Sequence, residues 1–236
     1  MYRLLTIIVI CLTAGCMGTI QDTKSTPEKP YVEIQFSLNK DAYPMLLGFL
    51  KTCYPQIAIW VSGSEVSFQK TIYVTDKGAH GSWTLADTRP SATPVWNGIR
   101  NKEKQLDIDC ISGATPSGEL HTVTWQIPPE LLCETIQIYI EANVSFDYND
   151  YYSDDENQEG YSGVNGQPSL VWKAELAVNN ENSYQTPVLI GHGHVTGADD
   201  RIHNNLERIT SARQLFHHIK VHYIARPDSC RNQVRD

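Results

Sequence analysis

Polar and apolar residues alternate with period two along much of this chain. In residues 135–145 an apolar set that includes Ile136, Ile138 and Ile140 alternates with polar residues. Such alternation is typical of a strand with one buried face. Similar runs occupy residues 31–38, 57–61, 68–74, 122–127, 170–177 and 219–224. Several strands separated by turn residues predict a mainly β fold, an antiparallel β-sandwich.

Two further patterns concern the connections between these strands. The helical signal is scarce, and its best candidate is residues 206–218, where apolar residues recur at spacings near three and four. This spacing predicts one short C-terminal helix with an apolar face on the sheet. Pro128-Pro129 and residues 130–134 separate two of the predicted strands. We therefore expect those two strands to form an antiparallel pair.

The N-terminal residues have the pattern of a bacterial lipoprotein signal. Arg3 precedes a short apolar run over residues 4–12, and Thr13-Ala14-Gly15 then leads into Cys16. The run is too short for a permanent transmembrane helix. We expect a signal peptide over residues 1–15, with Cys16 lipidated and anchored to a membrane.

The rest of the chain is expected to form a single domain on a tether. Residues 16–30 form the tether, because the stretch 21–30 is rich in Thr, Ser, Pro and Lys. The sandwich domain is expected over residues 31–225, with a short tail over 226–236. The expected location is the periplasmic side of the bacterial envelope. Met17 is not the aspartate associated with inner-membrane retention, so the outer membrane is slightly favoured.

Charge and cysteine content narrow the classes of partner. A net charge of −8 argues against a nucleic-acid partner, because such binding requires a basic face. Of six cysteines, Cys11 would be removed with the signal and Cys16 lipidated. The others are Cys53, Cys110, Cys133 and Cys230. An oxidising compartment permits two disulfides among them, and the sequence leaves the pairing open. Cys110 is expected in a disulfide, with a free redox-active thiol as the alternative.

The run Asp109-Cys110-Ile111-Ser112-Gly113-Ala114-Thr115 carries the most specific chemical signal. Its form is an acidic residue, two variable residues, a hydroxyl residue, Gly, Ala and Thr. This form resembles the attachment motif of bacterial proteins whose threonine carries FMN through a phosphoester bond, placed there by a separate extracytoplasmic flavin transferase. The resemblance implies FMN as cofactor, Thr115 as its acceptor and electron transfer as the role.

The residue types in this run suit such an acceptor. Thr115 supplies a hydroxyl, which attacks a phosphate only with a base and a metal ion that the modifying enzyme must bring. Gly113 and Ala114 leave room for a bulky dinucleotide donor. Ser112 and turn amides would hold phosphate oxygens, whereas Asp109 would contact the transferase or its metal. The competing interpretation is an ordinary turn between strands.

Two polar segments offer alternative sites. Residues 147–167 interleave acidic residues with tyrosines, which suits either a calcium loop or, more simply, a long solvated connection. His192 and His194 would point to the same side of an extended segment, a geometry that suits zinc or copper. No third ligand stands at a fixed spacing, and the flanking glycines favour a loop. The sequence therefore assigns no metal ligand.

Much of the mature chain resembles a domain-of-unknown-function family of predicted periplasmic lipoproteins. The resemblance rests on residues 56–60, 70–75, 89–96, 109–116, 125, 143–148 and 191–194. Members more often have alanine where this chain has Cys110. They are similar to the immunoglobulin-like domain of flagellar hook-capping proteins and tend to be grouped with flavin transferases and membrane redox proteins. The resemblance implies an immunoglobulin-like sandwich with those two classes of protein as partners.

A carrier or a binding module is favoured over an enzyme. No Ser, His and acidic set stands at a recognised catalytic motif, and the sequence has no phosphate-binding loop. The main hypothesis is an envelope electron carrier with FMN on Thr115. The alternatives are a cofactor-free adaptor that binds another envelope protein or a glycan, and a metal-binding module built on His192 and His194.

Overall fold

The computed structural model describes residues 29–42, 45–46, 51–63, 69–80, 92–102, 111–113 and 120–226. The strands in these ranges are β1 Tyr31–Leu38, β2 Met45–Leu46, β3 Lys51–Thr52, β4 Gln56–Gly63, β5 Gln69–Thr75, β6 Ile111–Gly113, β7 His121–Gln126, β8 Thr135–Asn143, β9 Leu170–Ala177, β10 Ser183–Gln185, β11 Val188–His192 and β12 Phe216–Ile224. The helices are α1 Asp76–His80 and α2 Pro94–Lys102. The predicted strands 31–38 and 170–177 are confirmed to the residue, and the others to within a few residues.

The described strands form two main sheets and a separate two-stranded sheet of β2 and β3. One sheet has four strands in the order β10-β12-β1-β7. The other has six in the order β11-β9-β8-β4-β5-β6. All neighbours are antiparallel except β5 and β6, which are parallel. The predicted mainly β sandwich is confirmed.

The inner faces of the two sheets enclose the main core. Alternate residues of β1, such as Ile34 and Phe36, contribute from the four-stranded sheet, and Ile59 and Ile138 contribute from the six-stranded sheet. All four side chains are fully buried. Burial of these aliphatic and aromatic groups is the main force that holds the sheets together.

A second apolar layer covers the outer face of the six-stranded sheet. Trp60 and Ala58 of β4 point away from the main core and pack with Val95 and Trp96 of α2. The indole Nε1 of Trp96 donates a hydrogen bond to Thr71 Oγ1 at 2.9 Å. Because helices cover this face, β4 is buried on both sides, and the six-stranded sheet forms the middle layer of the domain.

The predicted C-terminal helix over residues 206–218 is wrong. Only Ser211–Gln214 forms a single 3-10 turn, and the chain then enters β12 at Phe216. β12 pairs with β1 along the whole of that strand. Ile209 and Leu215 are nevertheless buried in the core. Their burial was therefore predicted correctly, whereas the helical conformation was not. Pairing with β1 outweighs the weak helical periodicity, because tertiary contacts override propensity.

The expected antiparallel pair across Pro128-Pro129 is also wrong. β7 pairs with β1 in the four-stranded sheet, whereas β8 pairs with β4 and β9 in the other sheet. The connection contains the 3-10 turn Pro129–Leu131, whose Leu131 is fully buried. Cys133, at the end of this crossing, has a φ of 65° and is disulfide-bonded.

No helix among the described residues is long and apolar enough to cross a membrane.

Candidate functional site

The structure describes the middle of the predicted acceptor run and places it at a sheet edge. Ser112 and Gly113 belong to β6, the outermost strand of the six-stranded sheet. Val74 of β5 pairs with Ser112, and Thr75 pairs with Gly113. The expectation of a turn is therefore wrong for Ile111–Gly113. Asp109, Cys110, Ala114 and Thr115 lie outside the described residues, as do Cys16, Cys230, the predicted signal peptide and the predicted tail after Arg226.

Hydrogen bonds fix the end of the sheet at which the acceptor run leaves β6. Thr75 is fully buried beside Gly113. Its hydroxyl donates to Gln56 Oε1 at 2.7 Å and accepts a bond from the Ile57 amide at 3.3 Å. These bonds to β4 hold the C-terminal end of β5 in place. Because Thr75 pairs with Gly113, they also hold Gly113, the last residue of β6.

This end of the six-stranded sheet carries an unusual number of buried polar side chains for a core. Those in β4, β5, β8 and the connection after β8 are Gln56, Thr75, Glu141, Asn143, Ser145, Asp147, Ser162, Asn165, Gln167 and Ser169. Asn143 Nδ2, for example, donates to the Gln167 carbonyl at 2.8 Å. Buried polar groups are stable only when they are hydrogen-bonded, so these bonds hold the residues 144–169 on the sheet.

The segment 147–167 is a long connection, but it is not wholly solvated. The carboxylate of Asp147 is buried and accepts bonds from Ser211 Oγ at 2.6 Å and Gln167 Nε2 at 2.9 Å. Burial raises the pKa of Asp147, and these two bonds partly lower it. Asp154, Asp155 and several other acidic residues of the segment are exposed. Within the described ranges, no three acidic residues of this segment are grouped so as to hold a metal ion.

The tertiary structure adds a third histidine to His192 and His194. His203 pairs with His192 through two backbone hydrogen bonds of 2.8 Å, and their rings stack with centroids 5.4 Å apart. The His194 ring lies 5.9 Å from that of His203. The Nε2 atom of His203 is 3.0 Å from Asp199 Oδ1. No fixed spacing along the chain identifies His203 or Asp199, because the cluster forms only when the loop returns to β11.

Hydrogen bonds occupy a ring nitrogen of each histidine in this cluster. His194 Nδ1 accepts from the amides of Thr196 and Ala198 at 3.2 and 3.3 Å, so the neutral ring carries its proton on Nε2. His192 Nδ1 lies 2.8 Å from the Gly193 carbonyl and must be the donor there. Burial is the largest cause that lowers the pKa of His192. These bonds stabilise the loop, and no group of three His, Cys, Asp or Glu side chains in the described part of the chain is placed to hold a metal ion.

Glu141 is the most deeply buried carboxyl group in the described part of the chain. It is fully buried in β8 and accepts bonds from the Trp96 and Val95 amides at 2.8 and 3.3 Å. Ser169 Oγ also donates to it at 2.6 Å. The carboxylate thus caps the first turn of α2, where the helix dipole favours negative charge. Burial nevertheless raises the pKa of Glu141 to about 7.

The backbone of Gly193 connects this buried carboxylate to the histidine loop. A Cβ at Gly193 would lie 2.5 Å from Ser169 Oγ and 3.1 Å from Glu141 Oε1. The loop can therefore cross Glu141 only with glycine at this position. The role of Glu141 was not predicted from the sequence, because this residue lies on the polar face of the alternating strand and that face was expected to be exposed to solvent.

The fold and these sites define a class: a two-sheet β-sandwich with a helical layer on one sheet, a polar sheet end and an edge strand that carries part of an acceptor-like run. Comparison of the chain with protein-family models, with curated proteins and with solved structures gives no match. The resemblance to envelope flavoproteins thus rests on the residues of the sequence, and the predictions drawn from it stay predictions.

Proposed function

We propose that this chain is a lipid-anchored electron carrier of the bacterial envelope, with FMN attached to Thr115. The observation that carries the proposal is the run from Asp109 to Thr115, with its spacing of acidic residue, hydroxyl, Gly, Ala and Thr. The edge position of β6 supports it. Among the described strands, β6 has a neighbour on one side only, and an edge strand is where another protein can approach a sheet.

The attachment reaction needs a separate enzyme and a flavin dinucleotide. The Thr115 hydroxyl oxygen would attack the phosphorus on the FMN side of the pyrophosphate. The P–O bond to the adenylate would break, AMP would leave, and the hydroxyl proton would pass to a base of the transferase. The metal ion that assists this attack belongs to the transferase. The product is a phosphoester with no change in oxidation state, and the attached flavin then supplies the redox chemistry.

The rest of the proposal concerns location and partners. A lipidated Cys16 on the tether of residues 16–30 would hold the domain at the periplasmic face of a membrane, with the outer membrane slightly favoured. Membrane redox proteins would then be the electron donor and acceptor. The charge of −8 is consistent with a protein partner and unfavourable for nucleic acid.

The acceptor hydroxyl is tested by intact-mass measurement after co-expression with a flavin transferase. We expect wild type to gain the mass of one FMN less one water, and Thr115→Ala to show no gain. Thr122→Ala is the matched control, because Thr122 is an exposed threonine of the other sheet and should leave the gain intact. No gain in wild type, or a gain that persists in Thr115→Ala, would disprove the acceptor assignment.

The same purified protein distinguishes the cofactor-free adaptor. A flavoprotein isolated from its native membrane is yellow and fluoresces as flavin, and its colour should remain with the chain after denaturation. If the protein is colourless when purified from a membrane that contains an active flavin transferase, the result would support the adaptor. The adaptor has the same sandwich fold and no cofactor.

Lipidation is tested independently of the flavin. We expect Cys16→Ser to shift the protein from the membrane fraction to the soluble envelope fraction, because the acyl chains that anchor it are lost. Cys11→Ser is the control, since Cys11 lies in the predicted signal peptide and should leave anchoring unchanged. Membrane association that survives Cys16→Ser would show that the anchor is elsewhere.

A further inference from the structure

Cys133 is disulfide-bonded, and its partner does not lie among the described residues. Cys53 is the other cysteine that the structure describes, and it belongs to no disulfide. The partner is therefore one of the cysteines outside the described ranges, which are Cys11, Cys16, Cys110 and Cys230. The backbone of Cys133 is also unusual, because a φ of 65° is uncommon for a residue with a side chain and persists only where the surrounding structure holds it.

The register of the six-stranded sheet excludes Cys110 as the partner. Ile111, next to Cys110 in the chain, lies level with Ile140 of β8 through successive strand pairs. Because β4 and β5 separate β6 from β8, Ile111 is about 14 Å across the sheet and about 17 Å along it from Thr135, where β8 begins. The direct distance is about 22 Å. The one residue step to Cys110 and the two steps to Cys133 shorten it by at most about 11 Å, whereas a disulfide needs Cα atoms within about 7 Å.

The residues after Cys133 and the end of β12 meet at one short loop, the connection between β9 and β10. At one end of this loop the Val178 amide donates to the Glu134 carbonyl at 2.8 Å. At its other end Asn182 Oδ1 accepts a bond from the Ala225 amide at 2.8 Å. The start of β8 in one sheet and the end of β12 in the other sheet are therefore bound to the same loop.

Cys230 lies within reach of this loop. Tyr223 of β12 is fully buried, and its hydroxyl donates to the Asn179 carbonyl of the loop at 2.6 Å, so the end of β12 is fixed there. The chain is described to Arg226, and the four residues from there to Cys230 span up to about 14 Å, to which a disulfide adds about 6 Å. The loop of five residues that lies between the two segments spans at most about 18 Å.

We propose that a disulfide between Cys133 and Cys230 links the two sheets of the sandwich. It joins the start of β8 to the chain that leaves β12. The choice of Cys230 over Cys11 and Cys16 rests on the proposed function, in which the first is removed with the signal peptide and the second is lipidated. Cys110 then has no cysteine left to bond, so the acceptor run keeps a thiol in place of the disulfide expected for it.

Formation of this bond requires an oxidising compartment. As the S–S bond forms, the two thiols lose two protons and two electrons, and a disulfide of an envelope thiol oxidase accepts them and becomes a dithiol. The bond closes a loop of about 100 residues, which lowers the conformational entropy of the unfolded chain. The domain therefore reaches its full stability only after export to such a compartment.

The pairing is tested by peptide mapping of the protein purified from its native envelope, with thiols alkylated in denaturant before any reduction. Digestion with trypsin and a glutamyl endopeptidase separates Cys110 from Cys133, because Glu119 and Glu130 lie between them. We expect one linked pair of peptides that joins Cys133 to Cys230, and an alkylated thiol at Cys110.

The outcomes of this mapping separate the pairing from the proposed function. A link from Cys133 to Cys110, or an alkylated Cys133, would overturn the pairing alone. A link from Cys133 to Cys16 would overturn both the pairing and the lipidation. The acyl mass on Cys16 and the FMN mass on the acceptor run are measured on other peptides, so either can be absent while the disulfide is present.

The contribution of the bond to stability is tested by thermal unfolding without reductant. Cys133→Ser and Cys230→Ser should each lower the melting temperature by about 5–15 °C. The double variant should lose no more than either single variant, because each change removes the same bond. Cys110→Ser is the matched control and should melt as wild type does. A Cys230→Ser variant that melts with Cys110→Ser would overturn the proposal.

Discussion

Glu141→Ala should lower the free energy of unfolding by about 3–5 kcal/mol. The substitution leaves the Val95 and Trp96 amides and the Ser169 hydroxyl without their acceptor. It also opens a cavity beneath α2, since Glu141 is fully buried. Each buried donor that loses its partner costs about 1–3 kcal/mol. Chemical denaturation monitored by tryptophan fluorescence would measure the loss.

Glu175→Ala is the matched control for this effect. Glu175 lies on the neighbouring strand β9, its side chain is 60% exposed, and it is 3.7 Å from Lys173. A surface pair of this kind contributes at most about 1 kcal/mol, so the control should remain close to wild type. A Glu141→Ala variant as stable as Glu175→Ala would mean that the carboxylate does not hold α2 on the sheet.

The pKa of Glu141 also predicts the sign of a pH effect. The folded pKa is raised from 4.5 to about 7, so between these values the folded state holds a proton that the unfolded state has lost. Stability therefore falls as pH rises through this window, by about 3 kcal/mol in total if Glu141 acts alone.

Glu141→Gln isolates this contribution from that of other titrating groups. The amide keeps the shape of the side chain and cannot ionise. We expect the difference in unfolding free energy between wild type and Glu141→Gln to shift against wild type as pH rises from 4.5 to 7. A difference that is constant over this range would show that Glu141 does not titrate there.

Gly166→Ala should destabilise the domain by about 3 kcal/mol or more. Gly166 has φ 67° and ψ −137°, a conformation that is essentially restricted to glycine. A Cβ would also lie 2.8 Å from the Asp147 carbonyl carbon and oxygen and closer to its amide nitrogen. Relief of this overlap would break the 2.8 Å bond from the Gln167 amide to the Asp147 carbonyl. Thermal unfolding of wild type and of Gly166→Ala would measure the loss of stability.

Gly163→Ala separates the steric overlap from the cost of a positive φ. Gly163 lies in the same connection with a φ of 56°, but among the described residues the atom nearest to a Cβ there would be Tyr161 Oη, at 3.6 Å. We expect a loss of only about 1 kcal/mol, from backbone strain alone. Equal losses in the two variants would refute the role of the Asp147 contact.

The strands were predictable because the alternation of apolar and polar residues follows the alternation of buried and exposed positions along a strand. β1 alternates fully between buried and half-buried residues, and its range was read correctly from that pattern. β4 is buried on both faces, so the same pattern did not reveal the helical layer over Trp60. Residues 206–218 show the opposite error: apolar spacing suggested a helix where the chain forms only a 3-10 turn at Ser211–Gln214 and then, from Phe216, a strand paired with β1.

The candidate sites divide in the same way. The acceptor run was found from residue types in one continuous segment, and its assignment to FMN awaits the mass measurement. Glu141 and Ser169 are 28 positions apart, and each is unremarkable in the sequence. Only the packing of α2 against β8 makes that carboxylate a buried cap.

By itself the sequence determined the mainly β class, the positions of most strands and the acceptor-like run from Asp109 to Thr115, because each depends on neighbouring residues in the chain. The tertiary structure alone decided the assignment of β7 and β8 to different sheets, the edge position of β6 among the described strands, and the histidine cluster with Asp199. These features depend on contacts between distant segments, and the free energy of such contacts outweighs local preference.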